Sequence, residues 1–286
     1  MPSLGGRAAH GGTVSTKKLG VKVVTFVAAL GIGLVAGAVT GLIGASGVMV
    51  IVPGLTLLGY SAAGAIGASL FADAIASLVV AWTYYQNKNL NLTQGWWIVL
   101  GSVAGAQIGS VLSPRIPDVG LGNAFGIFLL VTAVVFWVRG ARGIKPGEPD
   151  SETEEHAPSG FVAALRRHVV ASGIGLGLLV GIMSGVLGAG GGVMILLILV
   201  FVMGYKMHEG VGTSTLIMAF TAASGAIGHA MTGDLPLRAA AVASLGTVVG
   251  GRVAARYANR VNEAVLSKVV GAVFGLLGVA MVVQML

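Results

Sequence analysis

Apolar residues run through this chain in long blocks, not in the amphipathic or alternating patterns of a soluble fold. Stretches 23–72, 89–114, 119–138, 168–205, 210–233 and 269–286 contain no Asp, Glu, Lys or Arg. Most of them reach the roughly 20 apolar residues that a helix needs to cross a hydrocarbon core of about 30 Å. Turn-forming and charged positions divide them into apolar segments at 22–44, 48–59, 61–86, 94–113 and 119–139, then 165–188, 193–204, 206–231, 236–257 and 264–286. The second segment of each set holds only about a dozen residues, roughly 18 Å of helix, which is too short to span alone. The pattern predicts an all-α, polytopic membrane protein with two sets of about four spanning helices, each set carrying one short half-helix or re-entrant segment.

Between the sets, residues 140–164 collect Pro146, Pro149 and Pro158 with the acidic run Glu148, Asp150, Glu152, Glu154 and Glu155. They read as a charged linker between membrane halves 23–139 and 165–286. Residues 1–22 read as a polar, basic N-terminal tail with Arg7, Lys17, Lys18 and Lys22, and the long apolar run that follows reads as an uncleaved first span, not a signal peptide.

The two halves repeat one another. Gly33, Gly37, Gly41, Gly44 and Ala45 recur 144 positions later as Gly177, Gly181, Gly185, Gly188 and Ala189. After one inserted residue the offset becomes 145, pairing Gly47-Val48-Met49 with Gly192-Val193-Met194, Gly67 and Ser69 with Gly212 and Ser214, and Gly101, Gly105 and Arg115 with Gly246, Gly250 and Arg260. Duplicated membrane halves are frequent in secondary transporters, with the substrate site at their interface near the midplane. Four spans per half give eight and a parallel repeat, whereas five give ten and an inverted one. Lys and Arg divide eleven against six between the two sides under either count, with the N-terminus inside for eight spans and outside for ten, so the positive-inside rule leaves both open.

Composition narrows the function classes. Of 286 residues 55% are hydrophobic and only 9% charged, against about a quarter charged in a soluble domain, which argues against a soluble enzyme and a nucleic-acid module. The formal charge of +7 is then a matter of flanking basic residues and not of a nucleic-acid partner. The absence of cysteine removes disulfides and thiolate chemistry, and five scattered histidines without spaced carboxylates predict neither a metal site nor a cofactor.

Glycine carries two signals. The G-x3-G-x3-G runs at Gly33, Gly177 and Gly101 put small residues on one helix face and allow close packing. The loops Gly44-Ala45-Ser46-Gly47 and Gly188-Ala189-Gly190-Gly191-Gly192 instead break a helix within an apolar stretch, where the freed N–H groups need partners. Such N–H groups and the positive dipole end beside them suit an anion.

These loops, the Gly67-Ala68-Ser69 and Gly212-Thr213-Ser214 triplets, Tyr84 and the glycine run leading to Arg115 resemble the TauE/SafE sulfite exporter family from about residue 25 onward, outside the linker. The resemblance implies a multi-pass protein of the cell membrane that transports sulfite, sulfonates or related sulfur-containing anions and is not an enzyme. The sequence departs from the pattern at Ser46, which interrupts the first glycine run, and at Ala68, which replaces a threonine.

Candidate substrate-binding residues are therefore Gly44, Ala45, Ser46, Gly47, Ser69, Gly188, Gly190, Gly191, Gly192, Thr213 and Ser214, together with Gln107 and Arg252, which are repeat-equivalent on a glycine-lined face. Asp73 is the one acid in the interior of an expected span, Glu209 standing at the edge of 206–231, and Met218 stands at the matching place in the second half. Intramembrane acids are functional-site candidates by default, so Asp73 is the candidate for proton coupling, with a structural role as the alternative. The expected partners are the anion and the lipid bilayer. An anion channel or an uptake permease fits the same features. Ser46 within G-A-S-G, with His229 as a distant base, also reads as an intramembrane serine protease, but the repeat lacks the serine.

Overall fold

The computed structural model describes residues 12–112, 130–131, 133–134, 137–138, 165, 167–187, 191–231 and 235–283, with side chains from residue 25 onward except at 49, 62, 63, 187, 263, 274, 277, 278 and 280–283. Every regular element among them is helical: α1 (Gly12–Ile43), α2 (Val48–Leu57), α3 (Ala62–Gln86), α4 (Gly95–Leu112), α5 (Val169–Leu187), α6 (Gly191–Leu197, continued by a π turn over Ile198–Val202), α7 (Met207–Met231), α8 (Leu237–Ala258) and α9 (Glu263–Val283). Among the described residues six stretches are long and apolar enough to cross a membrane, namely Thr25–Ile43, Gly64–Gln86, Gly95–Leu112, Val169–Val186, Met207–Met231 and Leu237–Ala258. The linker and the apolar segment 119–139 lie outside the described residues or are described only at single positions.

The outward-facing positions are large and apolar, as lipid contact requires. Phe26, Val35, Leu78, Trp82, Ile227, Leu245, Val249 and Val253 are all exposed. The interior mixes alanine, glycine and hydroxyl residues with aliphatic side chains such as Ile43, Ile51, Leu55, Ile195 and Leu199. Water is absent from the hydrocarbon core, so helices associate by close packing, and small residues let their backbones approach.

The glycine runs locate that packing. A Cβ on Gly33, Gly37 or Gly41 of α1 would overlap the carbonyls of Ala243, Thr247 or Gly251 of α8; one on Gly177, Gly181 or Gly185 of α5 would crowd those of Ile98, Ser102 or Ala106 of α4. Each pair in the second group is a pair in the first moved by 144 on one helix and 145 on the other. The seam is reciprocal, because Gly246 and Gly250 of α8 meet Leu30 and Leu34, while Gly101 and Gly105 of α4 meet Ile174 and Leu178. At such separations backbone C–H groups face carbonyl oxygens, contacts worth about 0.5–1 kcal/mol each. Both helix pairs run parallel, since residue numbers rise together along each seam.

The third helices meet across the middle in the opposite sense. A Cβ on Gly67 would lie 3.3 Å from His229 Cβ, and one on Gly212 2.8 Å from Tyr84 Cβ, so the start of α3 lies against the end of α7 and the reverse. Helices at equivalent places in the two halves thus point in opposite directions, which is the geometry of an inverted arrangement. Two polar contacts follow the same relation: Tyr84 Oη donates to the Gly41 carbonyl at 3.1 Å, and His229 Nε2 lies 3.3 Å from the Gly185 carbonyl.

Candidate functional site

The first glycine loop stands at the centre of this packing. α1 ends at Ile43, Gly44 turns the chain with φ +66°, and α2 starts at Val48 and runs back along α1 with Gly54 against Ile32. Only glycine fits the turn: the left-handed backbone disfavours a side chain, and a Cβ would lie 2.6 Å from Ser214 Oγ and 2.8 Å from the Val211 carbonyl. Pro53 sits inside α2. Its missing N–H places no demand on the Met49 carbonyl, and at the start of α2 the Gly47 carbonyl accepts from Val50 N and Ile51 N at 3.0 Å each.

Asp73 meets this loop. It is wholly buried on α3, its Oδ1 accepts the Gly47 N–H at 3.0 Å, and its Oδ2 accepts a very short hydrogen bond from Ser46 Oγ. Ser46 Oγ in turn accepts the Val48 N–H at 3.1 Å. Two amides at the helix break, those of Gly47 and Val48, are thus occupied by an internal carboxylate and by the serine bound to it. The arrangement holds one of the protein's own carboxylates at the helix break. Hydrogen bonds to an ionised oxygen are roughly twice as strong as neutral ones, and the site lies at the positive end of α2.

Residues of the second half that match this cluster differ. The place of Asp73 is taken by Met218, whose Sδ lies 2.7 Å from a Cβ built on Gly192, and the place of Ser46 is taken by Gly191. Gly192 also packs on the Gly44 carbonyl and Ala45 Cα, at 2.5 and 2.8 Å from that Cβ, so the start of α6 touches the first glycine loop. Gly191 opens α6 with its own Cβ position 3.0 Å from Ser184 Oγ. Gly188 and Gly190 lie outside the described residues.

The remaining candidates separate into two groups. Ser214 abuts Gly44 and donates to the Val211 carbonyl at 3.0 Å. Ser69 is wholly buried one turn before Asp73, and its hydroxyl has no partner. These two belong to the centre. Thr213 instead ties down the α3–α4 connection, with Oγ1 donating to the Asn91 carbonyl and accepting the Asn91 N–H, both at 3.0 Å. Gln107 binds across α4 and α7, its Nε2 donating to the Ser224 carbonyl at 2.7 Å and to Ser224 Oγ at 3.0 Å. Arg252 is exposed on α8 and is not brought to the loops. His229 is buried beside Gly185 and Gly67, in the last turn of α7. Among the described residues no group of three or more His, Cys, Asp or Glu residues is arranged to hold a metal ion.

Sequence reasoning did not single out Ser77. It is wholly buried one turn after Asp73, and its hydroxyl, like that of Ser69, has no partner. The signal was available in the spacing of four between Ser69, Asp73 and Ser77, which places all three on one helix face.

A multi-pass helical bundle with touching broken helices and a buried carboxylate at its centre has the build of a membrane transporter. The comparisons agree. The chain matches the family described as "Sulfite exporter TauE/SafE" over residues 29–281 and belongs to that family. It is similar to the "Probable membrane transporter protein YunE" of Bacillus subtilis (strain 168), 24% identical over 271 residues covering 91% of this chain and 98% of the relative. It is also similar to the "Probable membrane transporter protein YdhB" of the same organism, 26% identical over 237 residues covering 82% and 91%. No solved structure matches it.

Proposed function

We propose that the protein is a secondary transporter that carries small sulfur-containing anions, such as sulfite or sulfonates, out of the cytoplasm and has no enzymatic role. The observation that carries this reading is the Asp73 carboxylate held by Gly47 N–H and Ser46 O–H in a wholly buried centre. Sulfite and sulfonate groups present the same kind of charged oxygen as a carboxylate. An anion at the break draws on these donors once Asp73 releases them. A proton on Asp73 neutralises the carboxylate, weakens its hold on the loop, and so links anion binding to the proton gradient. Ser214, Ser69 and Gly192, which border the same centre, complete the proposed site.

The opposed directions of α3 and α7 favour the ten-segment count. Under it the positive-inside rule places in the cytoplasm the side holding eleven basic residues, which includes Lys88, Lys206, Arg256 and Arg260. The N-terminus then lies outside.

Flux into proteoliposomes tests the function, using sulfite, sulfonates, sulfate and carboxylates with and without a pH gradient. Saturable sulfite or sulfonate flux that a pH gradient drives uphill is expected. Flux that never saturates and only runs downhill would make the protein a channel, and carboxylate flux without sulfur anions would overturn the substrate class.

A further inference from the structure

Most buried hydroxyls elsewhere in these helices bond to a carbonyl one turn back, Ser267 of α9 being an exception that also has no partner. Thr40 donates to Ala36, Thr83 to Val79, Thr215 to Val211, Thr221 to Ile217, Ser244 to Ala240 and Thr247 to Ala243, at 2.6 to 3.1 Å. This is the usual resting place of a serine or threonine in a membrane helix. Ser69 and Ser77 depart from it: both are wholly buried and neither hydroxyl has a partner. They lie four residues to either side of Asp73, on the face that Asp73 turns to the first glycine loop. Unpaired buried hydroxyls are rare and call for a ligand.

We propose that Ser69, Asp73 and Ser77 line the route of the transported anion along α3, with Ser77 a contact residue between the central site and the end of α3. The stripe extends for about 12 Å of helix, a little under half of a hydrocarbon core of about 30 Å. Neutral hydroxyls placed before and after the charged centre offer hydrogen bonds to an oxyanion without trapping it, and several weak sites in series favour release as well as entry. The second half has no such stripe, because Met218 and Ala222 stand where the first has Asp73 and Ser77. The route is therefore lopsided, running beside α3 and not α7. This inference rests on the reading of an anion that passes the helix break.

The chain contains no cysteine, so single cysteines can be introduced directly. Ser69→Cys, Ser77→Cys and, as control, Ser244→Cys are reconstituted and treated with the negatively charged reagent sulfonatoethyl methanethiosulfonate, with and without an excess of an unreactive alkyl sulfonate. Modification of Ser69→Cys and Ser77→Cys with loss of flux, slowed several-fold by the sulfonate, is expected, while Ser244→Cys stays unmodified. A Ser77→Cys protein that transports at the wild-type rate and resists the reagent overturns the route, as does equal modification of Ser244→Cys. If Ser77→Cys does not fold, Ser77→Ala takes its place: flux reduced several-fold at unchanged thermal stability supports the route, and unchanged flux overturns it. A wild-type protein that moves no sulfur anion, with Ser77→Cys still modified, supports the route and instead removes the substrate reading.

Discussion

Asp73 and Met218 occupy matching places on α3 and α7, yet only one of them answers the loop beside it. In the first half a carboxylate takes Gly47 N–H and Ser46 O–H; in the second a thioether packs against Gly192. The scaffold around them is otherwise reciprocal, from the α1–α8 and α4–α5 seams to the paired contacts of Tyr84 and His229. A duplicated frame that keeps its packing and loses its chemistry on one side separates what holds the protein together from what it does. On the proposed function, the glycine seams serve the first purpose and the Asp73 cluster the second.

That division can be broken by substitution. Asp73→Asn keeps size and much of the hydrogen bonding but cannot titrate. It is expected to retain anion binding and to lose nearly all pH-driven uphill transport, since Met218 offers no substitute carboxylate. Counterflow beside gradient-driven uptake in the same vesicles separates the two. Next in size are the seams: Gly37→Val and its counterpart Gly181→Val force a side chain into the Thr247 and Ser102 backbones. Each should lower stability by about 3 kcal/mol, at the upper end of overpacking costs, and by similar amounts, as read by thermal unfolding in detergent. Unequal losses would show that the seams are not equivalent.

Ser46→Ala removes a hydrogen bond to a charged group, and a change of about 1.5–3 kcal/mol in sulfite affinity is expected, read by equilibrium binding. Smaller still is Tyr84→Phe, which gives up one bond to the Gly41 carbonyl; about 1 kcal/mol of stability and no change in affinity are expected. The least is Gly31→Ala on the open side of α1, where a Cβ meets nothing within 4 Å. It should stabilise by about 0.5 kcal/mol through reduced freedom of the unfolded chain.

The seams were the most legible part of the fold. Glycines at Gly33, Gly37 and Gly41 announce close packing by spacing alone, and the offset of 144 or 145 pairs each with a counterpart. Their partners were not legible, because nothing in the spacing says that α1 packs against α8 and not against its own half. Helix direction was likewise out of reach: the basic residues divide eleven against six under either count, and it took the Gly67–His229 and Gly212–Tyr84 contacts to show α3 and α7 opposed. Asp73 stood out in sequence as a lone acid in an apolar segment. That it satisfies the nearby loop did not, since the two are 26 residues apart and meet only when α2 doubles back along α1. Ser77 was passed over because a serine in a membrane helix ordinarily bonds its own backbone, and only the packed helix reveals that this one does not.

On the proposed function a transported anion takes the donors that Asp73 now holds. Infrared difference spectroscopy on the purified protein addresses it without a flux assay, by comparing spectra before and after addition of sulfite in wild type and in Asp73→Asn. A carboxyl band that shifts on sulfite binding in wild type and is missing from Asp73→Asn is the predicted result. Saturable sulfite binding that leaves every carboxyl band unmoved would contradict the account.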